Sequence, residues 1–174
     1  MDDAAADDVE LVRRFQRGDA AAFALFVRRH QDAVFRFARP LLRRPEDAQD
    51  VAQEVFLRAL RGLQGFLFLA APKTWLLKVV RNVCREHNRR WRRHEDIDRL
   101  MQRADPALAI AVAGDDGDSA RLQQAIAALP ARQREVVILR MFEDLSVRET
   151  AQVMGCREGT VKAHLTKAVG NLRG

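Results

Sequence analysis

Apolar residues recur at three- and four-residue steps along most of the chain, the period of helices that bury one face. In "GDAAAFALFVRRHQDAVFRFARPLL" the turn residue Gly18 and the capping residue Asp19 open a helix. Phe23, Phe26, Val27, His30, Val34, Phe37, Ala38 and Leu41 fall on its inner face, and Pro40 kinks or ends it. "RPEDAQDVAQEVFLRAL" predicts a second helix, with Pro45 and acids in the first turn, where the helix dipole favours negative charge. Its buried stripe is Ala48, Val51, Ala52, Val55, Ala59 and Leu60, and Gly62 and Gly65 punctuate its end. A third helix, "PKTWLLKVVRNVCREHNRRW", turns Trp75, Leu76, Val79, Val80 and Val83 inward. No segment alternates as a strand would, and no internal repeat is found.

From Glu95 to Ser119 the periodicity weakens. Acids, Pro106, Gly114 and Gly117 are mixed there without a broad apolar face to offset the cost of ordering, apart from a helical turn at Arg99 to Arg103. The helical pattern resumes at Ala120 with "ARLQQAIAAL", "PARQREVVILRMF", "SVRETAQVMG" and "CREGTVKAHLTKAVGNL". The predicted fold is all-α. Two small helical domains, residues 1–94 and 120–174, are joined by a flexible linker over residues 95–119, and the second is a four-helix domain.

The last two segments carry the skeleton of a helix-turn-helix. Ala151 lets the helices cross closely, Gly155 makes the turn, Met154, Val161 and Leu165 lock the angle, and Ser146 caps the first helix. Glu158, Lys162, Ala163, Thr166 and Lys167 are left pointing outward, with His164 at the edge. Lys donates to guanine acceptors and Thr offers a methyl or a hydroxyl. Arg148, Arg157 and Arg173 are better placed for phosphates, which fix register without reading sequence. A plain hairpin with solvated charges shares the helix–Gly–helix outline but does not require Ala151, Gly155, Val161 and Leu165 in this register.

Charge favours a polyanionic partner. The 174 residues carry 30 bases against 24 acids, a formal charge of +6. The excess is local. Residues 2–10 hold Asp2, Asp3, Asp7, Asp8 and Glu10 with no base, whereas Lys73 to Arg93 is basic, with Glu86 the one acid. Cys84 and Cys156 lie far apart with no Cys-x-x-Cys, so nothing points to an oxidising compartment. The acidic start is no signal peptide, and "GFLFLAAP" is too short to span a membrane. The expected location is cytoplasmic.

Catalytic chemistry finds little footing. His30, His87, His94 and His164 are scattered without metal spacing, and His30 reads as a packed core histidine. Ser119 and Ser146 are the only serines, and neither sits in a nucleophile elbow. Glu46, Asp47, Asp50 and Glu54 share one helix, which seldom converges enough metal ligands. No glycine loop cradles a phosphate. The chain is expected to have no catalytic residue, metal, cofactor or small-molecule substrate.

"LPARQREVVILRMFEDLSVRETAQVMGCREGTVKAHLTKAVGNLR" resembles the promoter-binding C-terminal domain of bacterial sigma factors, the specificity subunits of RNA polymerase. Leu129-Pro130, Arg132 to Glu135, Leu139-Arg140, Leu145-Ser146, Ala151, Gly155 and Gly159 to Lys162 carry the likeness. Upstream, "DAQDVAQEVFLRAL" resembles the polymerase-docking helix of the family and "TWLLKVVRNVCREHNRR" its promoter-melting helix. The order and length resemble the small two-domain extracytoplasmic-function (ECF) group.

That resemblance implies a transcription initiation factor with two DNA contacts. Asp50, Gln53, Glu54 and Leu57 would grip core RNA polymerase, the Asp-x-x-Gln-Glu pattern being intact. Lys78, Arg81, Asn82, Arg85 and Arg89 would meet the −10 element, with Arg92 near the same face and Asn82 beside the melted strand. Arg157, Glu158, Thr160, Lys162, Ala163, Thr166 and Lys167 would meet the −35 element. An anti-sigma factor is the implied inhibitor. Departures qualify the inheritance. The loop "GLQGFLFLAAPK" is more apolar than the family's base-capturing loop, so either its backbone reads a base or its apolar residues pack inward or onto a partner. Trp75 is spaced as core rather than as a stacking platform. Thr150 stands where an aliphatic residue is common, and Ala163 and His164 where polar or Arg side chains often touch DNA. The linker, with Asp96, Asp98, Asp105, Asp115, Asp116 and Asp118, either threads the polymerase channel as a mimic of nucleic-acid charge or serves as a tether. The competing functions are a stand-alone helix-turn-helix regulator, usually a dimer on a palindrome, and a nuclease. The regulator needs neither upstream face, and the missing ligand clusters count against a nuclease.

Overall fold

The computed structural model describes residues 6–101 and 117–173, and the described residues form helices without strands. Asp8–Gln16 is a helix, α1, capped by Asp7, whose side chain accepts from the Glu10 amide at 2.8 Å. It buries Leu11, Val12 and Phe15, each contributing about 1.5–3 kcal/mol of transfer free energy. The apolar period does not announce this helix, because its apolar residues are few and cluster after several acids.

Gly18, at φ +98°, turns the chain into α2 (Ala20–Ala38), and Asp19 caps it as expected. α2 buries Phe26, Ala33, Val34 and Phe37. His30 is indeed packed in the interior, with Nε2 2.7 Å from Asp8 Oδ2 and its ring 4.6 Å from that of Phe26. Burial alone would raise the Asp8 carboxyl pKa. The hydrogen bonds and charges of His30 and Arg29 outweigh it and hold that pKa below its ordinary value.

A short 3₁₀ turn through Pro40 ends α2, and another through Pro45 opens α3 (Ala48–Gly62). α3 buries Ala48, Val51, Ala52, Val55 and Ala59. Leu60 departs from the predicted stripe and is exposed. α4 (Pro72–Met101) runs past residue 94, where the linker was expected to begin. Its buried stripe is also rotated. Leu76, Leu77, Val80, Val83 and Cys84 are buried, while Trp75 and Val79 are half-buried.

Beyond the linker region the described helices are α5 (Gly117–Ala128), α6 (Ala131–Val137), α7 (Val147–Met154) and α8 (Glu158–Arg173). A π-helical turn over Ile138–Phe142 extends α6. Leu129, Val136, Leu139, Leu145, Val153, Met154, Val161 and Ala168 form the core of these helices. The expected linker acids Asp105, Asp115 and Asp116 lie outside the described residues.

The two domains touch. α7 packs on the first half of α4, and α6 lies by the turn after α2. Apolar residues of both domains belong to one buried core, and ion pairs cross the seam beside it. Arg81 Nε donates to Glu135 Oε2 at 2.8 Å, with both side chains buried. Glu143, wholly buried, accepts from Arg36 Nε at 2.6 Å. Lys73 Nζ donates to the Glu143 carbonyl at 2.9 Å and stands 3.1 Å from Oε2, within ion-pair range but not aligned as a hydrogen bond. Arg134 donates to the Pro40 carbonyl at 2.5 Å.

Candidate polymerase and nucleic-acid interfaces

Three surfaces carry the predicted residues. On α3 the buried stripe leaves Asp50, Gln53 and Leu57 exposed, with Glu54 half-buried on the same side. Glu54 is held by Arg58, whose Nε donates to Glu54 Oε1 at 2.7 Å. The other end of the guanidinium forks onto both oxygens of Glu86 on α4, at 3.1 and 2.8 Å. Those bonds, to Glu86 first and then Glu54, raise the Arg58 pKa, and the Arg58 bond lowers that of Glu86. The face therefore sits on a helix braced to its neighbour. The brace continues at the start of α3, where His87 Nε2 lies 2.9 Å from Asp47 and Asn88 bonds the Leu41 carbonyl and the Arg43 amide.

On α4, Lys78, Asn82, Arg85, Arg89 and Arg92 are exposed. Arg81 is not with them. With Leu77, Val80 and Cys84 buried, position 81 falls on the inner side of the helix, one turn after Leu77, and its charge is matched by Glu135. Arg81 thus departs from the predicted basic face in this arrangement of the domains. Burial, with the nearby charge of Glu135, also pushes the Cys84 thiol up to about 12, so that it stays protonated.

The loop before α4 sorts its apolar run by side. Phe66 and Phe68 are half-buried, with ring centroids 5.0 Å apart, and Phe66 lies 5.5 Å from Trp75. Leu67 and Leu69 are 77% and 86% exposed. Phe68 adopts φ +56°, uncommon for a bulky residue, and the guanidinium of Arg13 lies 5.4 Å from its ring. Gln16 of α1 donates to the carbonyls of Leu63 and Phe66, fixing the loop from behind. Trp75 rests on Gly62 and Phe66, half-buried at the edge of the core. An open groove of about 400 Å³ results, lined by Phe66, Leu67, Leu69, Trp75, Lys78 and, from α7, Gln152.

The helix-turn-helix forms as predicted. Ser146 and Glu149 make a reciprocal capping box at the start of α7. The Ser146 hydroxyl bond is the chief cause holding the Glu149 carboxyl below its usual range. Gly155 takes the left-handed conformation, φ 60° and ψ 46°, that sends the chain into α8. Ala151, Met154 and Val161 are buried and Leu165 is half-buried between the helices. Arg157, Glu158, Thr160, Lys162, Ala163, Thr166 and Lys167 are all exposed. The Thr166 hydroxyl bonds the Lys162 carbonyl of its own helix at 3.1 Å. Thr150 is fully buried and its hydroxyl finds no partner.

The seam residues Glu135, Glu143, Arg36 and Lys73 were missed. Glu135 carried a signal: it directly precedes the apolar run Val136 to Leu139, where a buried acid needs a cation.

Among the described residues no three or more His, Cys, Asp or Glu side chains gather as a metal site, and no helix is long and apolar enough to cross a membrane.

Comparison with known proteins matches the two domains separately. Residues 26–94 match the family model for Sigma-70 region 2, and residues 119–172 that for Sigma-70, region 4. The ECF RNA polymerase sigma factor SigM of Mycobacterium tuberculosis H37Rv is 35% identical over 95% of this chain and 82% of its own length. The RNA polymerase sigma-H factor of Pseudomonas aeruginosa PAO1 is 36% identical over 92% of this chain and 89% of its own. Among solved structures, CnrH in complex with the cytosolic domain of CnrY superposes with a TM-score of 0.70 at 25% identity, covering 95% of this chain and 94% of that one.

Proposed function

The chain belongs to the ECF group of RNA polymerase sigma factors and is a promoter-directing transcription initiation factor, and on that premise we propose a division of labour among its surfaces. Asp50, Gln53, Glu54 and Leu57 on α3 dock onto core RNA polymerase, where an acidic and amide face suits a basic partner. Lys78, Asn82, Arg85 and Arg89 track the strand of the −10 element as it melts, Asn82 bonding an unpaired base edge. Arg81, buried against Glu135, stands apart from this face. Arg157, Glu158, Thr160, Lys162, Ala163, Thr166 and Lys167 sit in the major groove of the −35 element. Lys162 and Lys167 donate to base or phosphate acceptors, and Thr166, its hydroxyl engaged, offers its methyl.

The observation that carries this reading is the Asp50-x-x-Gln53-Glu54 face, with Asp50 and Gln53 exposed and Glu54 half-buried, in the same chain as an exposed basic recognition helix. A stand-alone regulator needs only the second. The chain supplies no chemistry of its own; phosphodiester synthesis belongs to the polymerase. An anti-sigma factor is the proposed inhibitor, by likeness to the solved relative held by a second protein.

The experiment is footprinting of promoter fragments by this protein with core polymerase. Two protected patches are expected, the upstream one lost in Lys162→Ala/Lys167→Ala. Protection by the protein alone, unchanged by polymerase, would support a stand-alone regulator instead.

A further inference from the structure

We propose that Arg58 is a positioning residue for the −10 contact. It holds Glu86 away from the basic face of α4, so that Arg89 stays turned toward DNA. The inference rests on the proposed function and adds to it a residue that itself touches neither polymerase nor promoter.

The first ground is the place of Glu86 on its helix. It is the one acid between Lys73 and Arg93. It follows Asn82 by one turn of α4 and precedes Arg89 and Arg90 by three and four residues. Side chains at these spacings are neighbours on a helix surface. Left without another partner, the Glu86 carboxylate would bond Arg89, a cation assigned to the −10 strand. It would also repel the phosphates that pass Asn82.

The second ground is where the carboxylate goes instead. Glu86 reaches across to α3, and its two oxygens accept from the Arg58 guanidinium at 3.1 and 2.8 Å. That bond, and after it the charges of Arg58, Arg90 and Arg89, hold the carboxyl below its ordinary range against the effect of partial burial. Arg89 and Arg90 are thus within electrostatic reach of Glu86, while Arg58 supplies the bonds. A two-pronged guanidinium fixes the direction of a carboxylate as well as its charge, which an ammonium does not. The pair spans a cleft of about 250 Å³ between α3 and α4, lined also by Asp50, Glu54, His87 and Arg90. The cleft leaves the carboxylate room to swing back to its own helix once the guanidinium is removed. The third ground is that the arrangement survives docking. Glu54 takes only the Nε edge of Arg58, at 2.7 Å. A polymerase cation that claims Glu54 leaves the fork onto Glu86 in place.

The test uses the full chain assembled with core RNA polymerase, the chain in saturating amount, and a promoter fragment that the wild-type assembly protects. Affinity for the fragment is titrated at several salt concentrations for Arg58→Ala, Glu86→Gln, Arg89→Ala and their pairwise combinations. Arg58→Ala is expected to weaken promoter binding about fivefold, the upper range for a partly exposed ion pair. It should also flatten the log–log salt slope by roughly 0.7–0.9, the worth of one cation. Affinity for core polymerase should change little, which places the loss at the DNA step. With Glu86→Gln already present, removing Arg58 should cost less than about twofold, and equally little on top of Arg89→Ala, since the three side chains act as one unit. A general brace between α3 and α4 would instead show the same loss in every background. Equal losses, or no loss in Arg58→Ala itself, overturn the positioning role. Should Arg58→Ala unfold by circular dichroism, Arg58→Lys, which keeps the charge without the fork, is held to the same criteria. A wild-type assembly that protects no fragment sinks the proposed function; a protected fragment with equal losses removes only the role of Arg58.

Discussion

The indole of Trp75 lies directly on Gly62, so that a Cβ at position 62 would sit 2.7 Å from Trp75 Cζ2 and 2.8 Å from Cη2. Gly62 has ordinary helical angles, φ −74° and ψ −31°. Its lack of a side chain thus serves the packing, not the backbone. Helix propensity alone would favour Gly62→Ala by up to ~1 kcal/mol. Displacing a ring wedged against Phe66 costs about 1–3 kcal/mol. The variant is expected to lose roughly 1 kcal/mol net by urea unfolding, with a shifted tryptophan emission; unchanged stability and emission would mean that Trp75 is loosely held.

Thr150→Val is expected to stabilise the protein. The hydroxyl is buried without a partner, and Val keeps the shape while removing the desolvated group. A gain of about 1 kcal/mol should appear in denaturant unfolding. A loss would show that the hydroxyl is bonded in solution.

Gln53→Ala and Glu54→Lys should weaken binding to core polymerase, by about three- to tenfold and tenfold or more respectively. Glu54→Lys breaks one ion pair, but Arg58 stays forked onto Glu86, so the melting temperature should change little. Unaltered affinity in a titration with labelled core enzyme would reject the docking face.

Acid should loosen the anchoring of α1. The folded Asp8 carboxyl titrates below its ordinary 3.8 because of His30 and Arg29. A depressed carboxyl contributes stability that is present above the unfolded pKa and lost as pH falls through the folded one. Unfolding free energy measured from pH 5 downward should therefore fall below about pH 4, and less steeply in Asp8→Asn. Equal slopes in both proteins would remove Asp8 from the account.

The helices whose apolar period is long and regular were legible, as were the turn at Gly155 and the cap at Ser146, because each is specified by local chemistry. α1 was not, since three apolar residues after five acids make a weak signal. Arg81 was misplaced for a different reason. Spacing could not distinguish the stripe through Val79 from the one through Leu77 and Cys84, and the partner that makes its burial tolerable lies 54 residues away. The sorting of Phe66 and Phe68 inward from Leu67 and Leu69 depends on a positive φ at Phe68 that no residue type announces. Domain contacts of this kind are set by tertiary pairing, which leaves no period in the sequence.

The most direct measurement of the central claim is transcription in vitro from genomic DNA fragments by core RNA polymerase with this protein added. Discrete promoter-initiated transcripts are expected, absent without the protein and reduced at least tenfold with Glu54→Lys. Initiation unchanged by the protein, or transcripts indifferent to the α3 face, would contradict it.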